Sequence, residues 1–167
     1  MKPDSWTLAK RHFWLSWWWG MLLLAAIFLV SLFFYQPDFL SHSFGELPLT
    51  LLLLLVLAGV PALLGNLVRL PLMHRVFREA TSAPELLLRT ALIFEGVVAL
   101  FWGLWKLYQQ SGLAVPFVFD VPIMQRTDGS LVLFFGLSLP WLVASVAAAR
   151  RLGLSQVGMV RQATAGA

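Results

Sequence analysis

The chain has 167 residues, of which 59% are hydrophobic and 12% charged, with a formal net charge of +4 and a mean hydropathy of +0.80. Soluble domains carry roughly twice that share of charge, so water is excluded as the solvent for most of this chain. The absence of cysteine excludes disulfides, thiolate metal sites, iron–sulfur clusters and cysteine nucleophiles.

The first apolar run extends from Phe13 to Tyr35, preceded by Lys2, Lys10 and Arg11. It is too long for a signal-peptide core and leads into Tyr35-Gln36-Pro37-Asp38 without a small-x-small cleavage pattern, so it is predicted as a retained first span. Trp14, Trp17, Trp18 and Trp19 cluster at its charged end, where amphipathic indole rings favour the membrane–water boundary. A second span is predicted from Leu47 to Leu70. After it, Leu72, Met73, Val76, Phe77 and Ala80 recur at helical spacing opposite His74, Arg75, Arg78 and Glu79. That pattern predicts a short amphipathic interfacial helix over residues 71 to 80, with a basic face suited to anionic headgroups.

Ser82-Ala83-Pro84-Glu85 is a capping box with an early proline, opening a third span from Leu86 to Tyr108. The stretch from Gly112 to Ser130 is apolar but interrupted by Pro116 and Pro122, and is expected to lie at headgroup level or cover the bundle. It ends in Thr127-Asp128-Gly129-Ser130, which has turn chemistry. A fourth span is predicted from Leu131 to Ala149, with Trp141 in mid-span, away from either boundary.

Each run meets the length a bilayer demands, since a hydrocarbon core about 30 Å thick takes about 20 helical residues at about 1.5 Å each. Backbone groups in lipid must pair internally, and unbroken Leu/Val/Phe runs lack the alternation of barrel strands. The predicted fold is an all-α integral membrane protein, a single domain over residues 1 to 167 with four transmembrane helices in one bundle. Lys and Arg number three before the first span, none between spans 1 and 2, four from Arg69 to Arg89, two between spans 3 and 4, and three after the last. By the positive-inside rule both termini and the middle loop are cytoplasmic, an N-in/C-in arrangement. The basic residues thus mark orientation, and no nucleic-acid partner is expected. Compact loops and the lack of eukaryotic targeting signals point to a bacterial inner membrane.

Glu95 is the acidic residue well inside a span. Insertion of such a group costs on the order of 3 kcal/mol, which makes it a candidate functional residue. At i+4 spacing it shares a stripe with Ala91, Ala99 and Gly103, and Gly96 lies beside it. Small residues let helices approach closely, so Glu95 is expected at a helix–helix contact, buried within the protein. Matching stripes occur at Ala58 and Ala62 in span 2, and at Gly136, Ala144 and Ala148 in span 4. Asn66 is expected to hydrogen-bond Glu95, with Arg69 reaching toward the pair and Ser138 adding a hydroxyl.

No catalytic, cofactor-binding or metal-binding residue is assigned. His12, His42 and His74 are too dispersed for paired haem ligation, no HExxH or phosphate-loop context exists, and no serine has a base in its own segment. The functional expectation is a non-enzymatic accessory or assembly subunit of a larger membrane complex serving secretion, conjugation or transport, with the lipid bilayer and other membrane proteins or a second copy as partners. The alternative is a small dimeric proton- or cation-coupled transporter with Glu95 as its coupling carboxylate.

Overall fold

A computed structural model of the protein describes residues 4–35, 45, 47–111 and 127–165. They form four helices and, among the described residues, no strand: α1 (Ser5–Tyr35), α2 (Leu47–Glu79), α3 (Ala83–Gln110) and α4 (Thr127–Ala165). All four are long and apolar enough to cross a membrane. Large apolar side chains such as Phe34, Leu49, Leu92 and Val132 lie exposed along them. A soluble protein rarely shows contiguous apolar surface on this scale, whereas lipid is a good solvent for it. The chain is therefore described as a multi-pass membrane protein.

Every helix outruns its predicted span at one or both ends. α1 begins at Ser5, because Lys10 and Arg11 are good helix formers even though their charges disfavour lipid. α4 continues through Arg150 and Arg151 to Ala165, and its first turn absorbs Thr127-Asp128-Gly129-Ser130, expected above as a turn. Residues 71 to 79, expected as a separate interfacial helix, are the last turns of α2, which runs unbroken through Pro71. Most of their apolar face turns inward: Met73, Val76 and Phe77 are buried with Leu8, Leu86 and Leu152 in the bundle core, while Leu72 is exposed. Between α2 and α3, Ser82 caps the new helix by accepting from the Glu85 amide at 3.4 Å. The Glu85 carboxylate closes the box on the Thr81 amide and hydroxyl, at 3.0 and 2.8 Å. The predicted outer-loop residues 112 to 126 lie outside the described residues.

Each helix packs on its sequence neighbours, and α1 closes the ring against α4. Neighbours run antiparallel: Trp17 meets Gly59 while Asn66 meets Phe13, and Trp102 reaches Ser130 while Leu86 lies against Gly153. The start of α1, the α2–α3 hairpin and the far part of α4 consequently share one end. Lys10, Arg11, Arg75, Arg78, Arg89, Arg150 and Arg151 all lie toward that end, and of the described residues only Lys106 is a cation toward the other.

Two apolar layers hold the bundle. One, near the charged end, joins Leu8, Ala9, Met73, Val76, Phe77, Leu86, Ala149 and Leu152. The other centres on Leu24, Phe94 and Trp141, with Met21, Leu55, Ala58 and Ala62 packed against it. Trp141 is thus a core side chain rather than a boundary one, and Gly20 of α1 makes room for its indole.

Candidate functional site: a polar layer between two apolar ones

Between the apolar layers, all four helices contribute buried polar side chains: His12 and Ser16 from α1, Asn66 and Arg69 from α2, Thr90 from α3 and Ser145 from α4. Arg69 is only 5% exposed and His12 only 3%. Helical repetition places them, since Leu8, His12, Ser16 and Gly20 fall at i+4 spacing, as do Trp141, Ser145 and Ala149.

The layer is tied chiefly through backbone carbonyls. His12 Nε2 lies 3.0 Å from the Ser145 carbonyl oxygen and 3.2 Å from the Ser145 hydroxyl. A carbonyl only accepts, so the proton is assigned to Nε2. The Phe13 carbonyl accepts from Ser16 Oγ at 3.1 Å and from Asn66 Nδ2 at 3.4 Å. Thr90 Oγ1 donates to Leu86 O at 2.7 Å. Arg69 donates from Nε to Gly65 O at 3.1 Å and from Nη2 to Asn66 Oδ1. Its guanidinium carbon sits 4.1 Å from the Phe94 ring centroid, a cation–π contact. Among the described residues, Arg69 Nη1 is buried with no hydrogen-bond partner and no carboxylate forms an ion pair with Arg69.

Of the cluster expected from sequence, Asn66 and Arg69 come together and the other two stay apart. Glu95 is half-buried, and among the described residues it has neither a hydrogen bond nor an ion pair. Helical register explains the difference: Phe94 takes the inward position over Arg69, and Phe101 and Val97 line up beside Gly65. One residue further is a turn of about 100°, which carries Glu95 off the bundle axis. Ser138 is half-buried, and its hydroxyl donates to Phe135 O of its own helix at 2.8 Å.

The small-residue stripes divide in the same way. Ala58 and Ala62 pack on the second apolar layer, and Ala144 and Ala148 are fully buried. On α3, Ala99 is exposed and Ala91 and Gly103 are half-buried. A side chain added at Gly96, Gly103 or Gly136 would meet nothing within 4 Å. The α3 stripe therefore lies open along the outside of the bundle, with Glu95 at its level.

The sequence reading does not single out His12, because Lys10 and Arg11 mark the start of α1 as a flank, nor Ser16 and Thr90, because a lone hydroxyl in an apolar run carries no signal by itself of which way it faces. The i+4 run through Leu8, His12, Ser16 and Gly20 was the signal available. No protein-family model, curated protein or solved structure matches this chain.

Proposed function

We propose that the protein is a non-enzymatic accessory or assembly subunit of a larger membrane complex, residing N-in/C-in in a bacterial inner membrane. The observation that carries this reading is Glu95: a carboxyl near the middle of the 28-residue α3 without a hydrogen-bond or ion-pair partner among the described residues. At about 1.5 Å per residue it stands about 18 Å along the helix, at the depth of the hydrocarbon core. Facing lipid there costs on the order of 3 kcal/mol. A neighbouring transmembrane helix that offers a hydrogen-bonding side chain removes that cost, and Gly96, Ala99 and Gly103 give such a helix a surface on which backbones approach closely. The polar groups inside the bundle mostly pair with backbone and with one another, consistent with a scaffold. Orientation rests on the cations gathered at one end, which favour the cytoplasmic side.

Native mass measurement of the tagged protein in mild detergent, with co-purifying chains identified, tests the assignment. A stoichiometric set of other membrane proteins is expected for the wild type. Gly96→Leu, which has open space around it within the chain, is expected to leave the bundle folded and to remove those proteins. Glu95→Gln is expected to weaken their retention only partly, since an amide still hydrogen-bonds. A lone homodimer whose proton flux disappears in Glu95→Gln would replace this reading with the transporter one.

A further inference from the structure

The first turns of α1 present an open surface patch formed by Thr7, Lys10, Arg11, Trp14 and Leu15. These positions repeat at i, i+3, i+4, i+7 and i+8, so they form one stripe along a single helix face. Lys10 and Arg11 are exposed, and among the described residues neither forms an ion pair or a hydrogen bond. Arg78 and Arg89 at the same end are engaged by Glu79 and Glu85, whereas Arg75 and Arg150 are exposed and, among the described residues, also without an ion pair or hydrogen bond, so the adjacent run of exposed indoles is what distinguishes Lys10 and Arg11. From this patch a ridge of exposed apolar side chains leads toward mid-membrane, with Trp14 54%, Trp18 55% and Leu22 65% exposed at i+4 spacing. Lys10 to Leu22 is about 18 Å of helix, comparable with an extended acyl chain.

We infer that this face of α1 is a binding site for an anionic phospholipid, with Lys10 and Arg11 on the phosphate, Thr7 beside the headgroup, and Trp14, Leu15, Trp18 and Leu22 along the glycerol and one acyl chain. The chemistry is matched at each level. Two cations without a carboxylate favour net negative charge in the headgroup. Indole rings favour the glycerol region, where their ring is apolar and their N–H finds water or ester oxygens. Leu22 meets the hydrocarbon. A zwitterionic headgroup gains less, because its own ammonium opposes the two cations.

The test reconstitutes the full chain into nanodiscs of equal phosphatidylglycerol and phosphatidylcholine, then reads retained lipid by native mass spectrometry after mild delipidation. The wild type is expected to retain phosphatidylglycerol about thirtyfold over phosphatidylcholine, the scale that two near-surface cations supply. Lys10→Gln/Arg11→Gln is expected to lose the preference. Arg75→Gln/Arg150→Gln removes the same charge from the same end and is expected to keep it. Lys10→Arg/Arg11→Lys should also keep it. Equal loss in both glutamine pairs would overturn the site in favour of diffuse charge attraction. A wild type without preference overturns it outright, whatever the variants do.

Discussion

Arg69 is a cation held between two apolar layers with no carboxylate paired to it among the described residues, and its stability rests on a small number of acceptors. Gly65 O and Asn66 Oδ1 take two of its donors, and Phe94 supplies a π face. A hydrogen bond to a charged group contributes about 1.5–3 kcal/mol, and stranding a buried charge costs more than removing it. Asn66→Ala is therefore expected to destabilise the bundle by about 2–3 kcal/mol, because it removes both the Arg69 acceptor and the link to Phe13 O. Adding Arg69→Met to Asn66→Ala is expected to recover part of that loss, since no guanidinium is then left unpaired. Denaturant titration of the detergent-solubilised protein measures both; a double variant less stable than Asn66→Ala would show that Arg69 contributes more than it demands. Neither partner choice was legible in the sequence. Asn66 and Arg69 meet because they stand three residues apart on one helix, whereas depth, the ground for expecting Glu95 beside them, is silent about azimuth, and azimuth is what separates Phe94 from Glu95.

Helix contacts depend on the glycines in different ways. At Gly20 a Cβ would run into the indole of Trp141, itself buried and stiff, so Gly20→Ala is expected to cost about 1–3 kcal/mol by overpacking, more than the roughly 1 kcal/mol gained in helix propensity. At Gly59 the nearest atoms are Met21 Sδ and Cε, at 2.8 and 2.9 Å. They end a flexible side chain, so Gly59→Ala is expected to stay within about 1 kcal/mol of wild type. Thermal unfolding in one detergent compares the two, and the prediction fails if Gly59→Ala is the more damaging. Element length was readable from the apolar runs, element ends much less so. Residues 71 to 79 have the amphipathic pattern of a surface helix, and that pattern is equally satisfied when its apolar side packs on α1, α3 and α4.

Four antiparallel helices fix which ends lie together, and this can be tested because the chain has no cysteine. Single cysteines at Asp4 and Ser82 fall at the charged end, whereas Gly45 and Ser111 fall at the other. In intact cells a membrane-impermeant maleimide is expected to label Gly45→Cys and Ser111→Cys and to spare Asp4→Cys and Ser82→Cys. The reverse pattern would keep the bundle and invert its orientation, while Asp4→Cys and Ser82→Cys on opposite sides would contradict the fold.

The sequence alone determined the solvent of this protein, the number of its spans and the gathering of its basic charge, because lipid requires about 20 apolar residues per crossing and that requirement is local along the chain. Tertiary structure decided which side chains face inward. The placement of His12 against Ser145, of Phe94 over Arg69 and of Glu95 toward the outside depends on the rotation of each helix relative to its neighbours, set by side-chain packing across residues far apart in sequence.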